Sequence, residues 1–453
     1  MSGAFSFKQQ DLTEGRIAPL LIKFAIPYML ANLLQALYGA ADMIIVGQFT
    51  NAAGLSAVAI GSQFMMFING LVIGMSMGGT ILIGQYFGAG NDKEIKSTIA
   101  TMFTLFAIIG AVLTVALLFA VKPLVAVLKT PPEAVAQAEA YIYVNVAGIL
   151  FMFAYNALSA MLRGFGDSKS PLLFVAIACV CNVFGDLLLV GRFGMGAGGA
   201  ALATILSQGL SALLAVVFLK KQSFNRFDFK LKSFRMDADK VKKLFVLGLP
   251  MSAQMSLTTV SFMFIMATVN QMGGVVASAA IGVSGRINGF TMLPPTAFSA
   301  AISAVVAQNM GARRPKRART ALYVGIAVSL AFGVVSYAIL FFCPHILTRV
   351  FTPDRELIAA AALYFRSFSL DCVLVCFVFC LNGFFNGCGH TPFSMANNLL
   401  AAFLIRVPAT WILSGLDGAS LFTVGFAAPL ASSVSIVIGL LYLKYGKWHK
   451  IRI

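Results

Sequence analysis

Charge is what this sequence has least of. Only 11% of its 453 residues are Asp, Glu, Lys or Arg, 16 of them are acidic, and His occurs 3 times. A water-soluble chain of this length needs many more charged residues to cover its core, so a soluble globular protein is excluded. No span is polar enough to form a nucleotide domain, and no G-x-x-x-x-G-K-[ST] loop is present, which excludes an ATP-driven pump. The opening "MSGAFSFKQQDLTEGRIAPL" lacks a short apolar core and an A-x-A cleavage site, so residues 1–16 read as a retained cytoplasmic lead-in and not as a signal peptide. The seven cysteines lie in apolar segments. Cys372, Cys376 and Cys380 form an i, i+4 stripe, but no His accompanies them, and cysteine packs readily as a small hydrophobe. Neither a metal site nor a disulfide is expected.

Apolar residues are what the chain has in abundance: 59% of the total, with a mean hydropathy of +0.89. Apolar stretches recur over 17–49, 54–86, 95–121, 136–162, 170–191, 197–219, 241–271, 275–309, 318–344, 357–386, 392–414 and 419–444. Each exceeds the roughly 20 residues needed to cross a bilayer. The expected fold is therefore an all-α polytopic membrane protein with twelve transmembrane helices. Alternate connections are basic. One set holds Lys93 and Lys96, Arg163 and Lys169, the 220–243 run from Lys220 to Lys243, the cluster Arg313 to Arg319, and the tail Lys447 to Arg452. By the positive-inside rule this set and both termini are cytoplasmic. The net charge of +17 is thus a topology signal and not a nucleic-acid footprint.

The chain also repeats. "FAIPYML" (24–30) matches "LGLPMSA" (247–253), setting Pro27 against Pro250, and "GQYFGAG" (84–90) matches "AQNMGAR" (307–313). "LRGFGDSKSP" (162–171) likewise matches "FNGCGHTP" (385–392). Six helices per half give the halves one orientation, hence parallel repeats enclosing a central cavity. The expected division is a lead-in at 1–16, a first lobe at 17–219, a basic linker at 220–240, a second lobe at 241–444 and a tail at 445–453.

Within this apolar background a few polar residues stand out. Tyr38 and Asp42 lie four apart on the first span, and Asn182 and Asp186 repeat that spacing on the fifth, which places each pair on one helix face. Asn156 lies in the fourth span and Thr204 in the sixth. The second half has Ile265 and Ala409 where the acids would fall, so only one lobe carries the pair. Interhelical hydrogen bonding accounts for Asn156 or Thr204 alone. It does not account for two carboxylates, each costing about 2.5–3.5 kcal/mol at membrane depth. Acids that bind and release H⁺, with Asn, Thr and Tyr oxygens able to coordinate Na⁺, point to a cation-coupling site.

These residues carry a resemblance over the whole chain. "IPYMLANLLQALYGAADMIIVGQF", "GQYFGAG", "NALSAMLRGFGDSKSP", "NVFGD" before "GRFGMGAGGAALAT", and "AQNMGAR" together resemble the multidrug and toxic compound extrusion family. The resemblance implies two six-helix lobes in a V around a cavity, and export of organic, often cationic compounds driven by H⁺ or Na⁺ entry. It is to the bacterial branch with a first-helix Asp and a fifth-helix Asn/Asp pair. On that match Asp42, Asp186, Asn182, Asn156, Thr204 and Tyr38 take coupling roles. A bacterial inner membrane, a small-molecule substrate, lipid contact and a monomeric chain are implied, with no organic cofactor and no metal beyond Na⁺ at the coupling site.

The chain departs from another branch of the family, which has a seventh-helix Glu; "MSAQMSLTTVSFMF" has none. Asp371 sits about a turn before that branch's tenth-helix Asp, and either contacts substrate or pairs with Arg366. Arg286 is a candidate for the second-lobe cavity wall or gate. Arg406, beside Pro408, either snorkels or bonds backbone carbonyls. Pro27 is the candidate hinge of the first helix. The rival reading is a flippase or exporter of a lipid-linked or polysaccharide precursor, although Arg286 alone suits the basic cavity that such a protein uses. A membrane-embedded peptidase is excluded because the two aspartates lack an accompanying motif.

Overall fold

The computed structural model describes residues 10–221, 230 and 233–449. Several basic residues of the topology pattern, among them Lys8, Arg226, Lys232, Lys450 and Arg452, lie outside the described residues, as do much of the 220–240 linker and the ends of the lead-in and tail. The described residues are predominantly helical and include no strand. Among them eleven helices are long and apolar enough to cross a bilayer, and a bent pair taken as one span makes the twelfth.

In chain order these are α1 (Ile17–Phe49), α2 (Ala52–Gly88), α3 (Asp92–Val127), the bent α4 (Pro132–Ala147 and Ile149–Gly164), α5 (Lys169–Arg192) and α6 (Gly196–Lys221). The second half gives α7 (Ala238–Met272), α8 (Gly274–Gly311), α9 (Pro315–Phe342), α10 (Arg355–Gly387), α11 (Thr391–Ser414) and α12 (Leu421–Tyr445). Helix starts follow capping chemistry. Asn51 Oδ1 accepts from the Gly54 amide at 3.1 Å, and Asp354 Oδ1 from Glu356 at 2.9 Å. Asn91 caps α3, whose first turn carries Asp92 and Glu94 against the positive helix end.

Within the twelve spans three local features stand out. The fourth span is not one rod but bends by 45° at Gly148. There the Ile205 side chain of α6 stands so close that an added Cβ would lie 2.4 Å from its Cγ1, so only glycine admits the approach. α7 and α8 are joined with almost no loop: Gly274, at φ 57 and ψ −140, reverses the chain in a conformation that excludes other residue types. α5 and α11 each contain a widened turn, Leu187–Arg192 and Leu400–Arg406, with bonds such as Phe193 N–H to Leu188 O at 3.0 Å. Such turns often mark functional positions; the first begins next to Asp186 and the second ends at Arg406.

Contacts divide the described chain into two units: residues 10–11 and 30–252 form the first, while 12–29 join 253–449 in the second. The reason is visible in each unit taken alone. In the first, Asp237 and the first half of α7 are tied to α2 and α3. Lys240 Nζ is buried, ion-paired with Glu94 and 3.0 Å from Tyr86 Oη; Ser97 Oγ donates to Asp237 Oδ2 at 3.1 Å, and Ser252 Oγ to Leu71 O at 2.8 Å. In the second, the lead-in is tied to α8 and α9. Leu12 N–H donates to Gln308 Oε1 at 2.9 Å, Asn309 Nδ2 to Leu12 O at 3.1 Å, and Arg314 Nη1 to Thr13 O at 2.7 Å. α2 is the most enclosed helix of the first unit and α10 of the second.

Candidate functional site

The first unit brings together the polar residues singled out in its four helices. Asp42 of α1 is 5% exposed, and Asp186 and Asn182 of α5 are 0% and 1% exposed, so neither acid reaches bulk solvent. Thr204 of α6 links Asp42 to Asn182: its hydroxyl donates to Asp42 Oδ2 at 3.1 Å and accepts from Asn182 Nδ2 at 3.3 Å. The Asp42 and Asp186 carboxyls lie within each other's electrostatic reach. Among the described residues no donor reaches either Asp186 oxygen, Asp42 Oδ1 or Asn182 Oδ1. Two buried carboxyls so placed favour keeping at least one of them protonated. The same cluster of undonated oxygens is the donor type a hard cation such as Na⁺ takes.

A cavity enclosing about 570 Å³ of empty space, part of it open to solvent, lies within the first unit beside this cluster. Tyr38, Asn156, Asn182 and Thr204 line it, whereas Asp42 and Asp186 stand behind the wall that Thr204 and Asn182 form. Asn156 spends one amide hydrogen on Met152 O at 2.9 Å within its own helix. Further polar groups, absent from the sequence reading, complete the wall: Gln35 on α1, Asn69 on α2, and Ser207, Gln208 and Ser211 on α6. A signal for them was present. Gln35, Tyr38 and Asp42 share the 3–4 spacing of one helix face, and so do Thr204, Ser207, Gln208 and Ser211. Tyr141 of α4, hydrogen-bonded to Ser62 at 3.2 Å, faces the acid pair from another side.

The second-unit candidates do not assemble into a matching site. Asp371 is 2% exposed and accepts from Ser432 Oγ at 2.5 Å; among the described residues it makes no ion pair with Arg366. That corrects the pairing expected from the sequence, because Asp371 points into the unit toward α12. The nearby cation is Arg406, whose guanidinium lies 5.5 Å from the Phe262 ring centre and in the electrostatic reach of Asp371. Arg286 is exposed on α8 and joins no polar cluster. Pro27 is buried in an α1 that runs unbroken through it, two residues before α1 passes from the second unit to the first.

A buried acid pair beside a polar cavity, in a bundle of membrane-crossing helices, defines a transporter. The family model MatE matches the chain twice, at residues 27–188 and 250–412, starting at the repeat-related Pro27 and Pro250. The chain belongs to that family, the multidrug and toxic compound extrusion transporters, and is a transporter and not an enzyme. It is 29% identical to "Probable multidrug resistance protein YpnP" of Bacillus subtilis, over 98% of this chain and 99% of that one. It is 28% identical to "Probable multidrug resistance protein NorM" of Thermotoga maritima, over 95% and 93%. The fold is also that of a solved structure described as the outward-facing conformation of a multidrug resistance MATE family transporter. The TM-score is 0.90 at 23% identity, over 97% of this chain and 98% of that one.

Proposed function

We propose that the chain exports small organic compounds by alternating access, driven by inward movement of a proton carried on the Asp42–Asp186 pair. The observation that carries this reading is the acid pair itself: two carboxyls out of solvent and within each other's electrostatic reach, Asp42 being joined through Thr204 and Asn182 to a cavity wall. Two ionised carboxylates in that position would repel each other in a low-dielectric interior, whereas a shared proton satisfies both. The cavity then changes with the charge behind its wall. Names of the relatives support drug-like compounds as cargo. Both termini face the cytoplasm of a bacterial inner membrane, as the basic connections require.

Asp371 has a structural role here, holding α12 against α10 through Ser432. Transport by the purified chain in proteoliposomes, with ΔpH and a Na⁺ gradient imposed separately, tests the reading. Drug movement should follow ΔpH and vanish in Asp42→Asn. Movement driven by Na⁺ alone would assign the undonated oxygens to Na⁺, and movement under neither gradient would remove the coupling role.

A further inference from the structure

The cavity wall carries no formal charge. It holds five carboxamides, from Gln35, Asn69, Asn156, Asn182 and Gln208, together with hydroxyls and a few apolar side chains, and no Asp, Glu, Lys or Arg. The nearest acids among the described residues stand behind the wall, out of contact range of a ligand: Asp42 already accepts from Thr204, and Asp186 is wholly buried. A cation placed in this cavity would lose its water without gaining a carboxylate contact, a poor exchange for a permanently charged ion with no hydrogen-bonding group. The carboxamides offer something else. A carboxamide carries a donor and an acceptor side by side in one plane, the pattern that pairs two-pointedly with a heterocycle edge bearing an adjacent acceptor and donor. Asn182 is turned to Thr204 with its Oδ1 buried, which leaves Gln35, Asn69, Asn156 and Gln208, from α1, α2, α4 and α6, to surround a ligand instead of reading one side of it.

Resting on the reading that this cavity holds the exported compound, we propose that it selects an uncharged planar heterocycle with an adjacent hydrogen-bond donor and acceptor. The ring class is that of a nucleobase or a lactam, and Gln208 is the specificity-determining residue. Gln208 sits one helical turn beyond Thr204 on α6 and against Tyr38 of α1, so it is the amide placed between the cavity and the acid cluster. The discrimination follows from hydrogen bonding. A ligand that lacks the complementary edge leaves amides of the wall unpaired when it displaces their water, and such mismatches are the strongest basis for rejection that a site can have.

The test is equilibrium binding to the full chain in lipid nanodiscs, with adenosine and uridine as heterocycle probes and tetraphenylphosphonium as a cation without hydrogen-bonding groups. The nucleosides should bind at least about tenfold more tightly than the phosphonium, and Gln208→Leu should weaken nucleoside binding about ten- to hundredfold. The phosphonium should be unaffected by the substitution, and Gln208→Asn should restore part of the nucleoside affinity. If Gln208→Leu fails to fold, Asn69→Leu supplies the same comparison on another helix. Tighter binding of the phosphonium, no nucleoside binding, or nucleoside binding indifferent to both amide substitutions overturns the proposal. Binding needs no gradient, so it stands or falls separately from coupling: a nucleoside preference without ΔpH-driven movement leaves this inference intact and removes the proposed proton drive.

Discussion

At the residue scale, the single hydroxyl of Thr204 both donates to Asp42 and accepts from Asn182. Thr204→Val keeps the shape and removes both bonds, leaving Asp42 Oδ2 without its donor; the expected cost is about 1–3 kcal/mol of stability. Transport under ΔpH should fall sharply in that variant and recover in Thr204→Ser, with thermal unfolding and initial uptake rates measured on the same preparations. Recovery by Ser separates the hydrogen bonds from mere packing. The two buried acids of the two units should also behave differently. Asp371→Asn retains an acceptor for Ser432 and should transport within about twofold of the parent, whereas Asp42→Asn loses a titrating group and should not transport. Equal loss in both variants would place a coupling acid in each unit.

At the scale of the element, α1 is the helix we expect to move. Pro27 offers no N–H to the Lys23 carbonyl, and the contacts of α1 change unit between Met29 and Leu30. Asp42 lies about three turns farther along. A change in its charge needs to bias two helix positions by only a few kcal/mol, and a proton falling through 100 mV releases about 2.3 kcal/mol. Spin labels on α1 and α5 should therefore report different separations at low and high pH. The difference should shrink in Pro27→Ala and disappear in Asp42→Asn; persistence in Asp42→Asn would make the acid a fixed ligand and not a switch. The bend in α4 has a separate test. Gly148→Ala sets a methyl against Ile205, 2.4 Å from its Cγ1, and should lower thermal stability by about 1–3 kcal/mol through overpacking. An unchanged melting temperature would mean that α6 yields easily at that point.

On the scale of the whole molecule, each unit takes in a segment that sequence order would assign to the other lobe. The start of α7 is tied into the first unit by Lys240, whose ammonium contacts Glu94, Tyr86 and Asp239. Glu94→Gln removes the main counter-charge of a buried ammonium and should destabilise the first unit by about 1–3 kcal/mol, with part of the loss recovered in Glu94→Gln/Lys240→Met. Denaturant unfolding in detergent reads both variants. Asp237, just before α7, gives this tie its pH dependence. Burial pushes its carboxyl up, but the Ser97 hydroxyl and the Lys240 and Asp239 amides donate to it and hold it below the usual carboxylate range. A carboxylate with a lowered folded value stabilises above its unfolded value of about 3.9 and loses that contribution as pH falls through the folded one. Hydrogen-exchange protection of residues 238–243 should accordingly be flat near neutrality and decline only below about pH 4. Topology is checked at the same scale: cysteines at Lys447 and Asp417 should label from opposite sides of the membrane, and labelling from one side would overturn the orientation.

Much of this protein was legible in one dimension. In a bilayer every backbone polar group must be satisfied within its own segment, so hydropathy averaged over about 20 residues fixes the helices, while loop charge supplies an orientation that labelling has to test. The repeat and the i, i+4 pairs Tyr38/Asp42 and Asn182/Asp186 were equally plain, because helix geometry ties spacing to face. Tertiary structure alone decided what depends on residues far apart in the chain. It put Thr204 on Asp42, and buried Lys240, which sequence reads only as a cytoplasmic charge, against Glu94. It gave Asp371 to Ser432 instead of Arg366, left Arg286 exposed, and gathered Gln35, Asn69 and Gln208 around one cavity. Periodicity says which face a side chain is on, but which helix that face meets depends on packing between helices, and no local pattern encodes it.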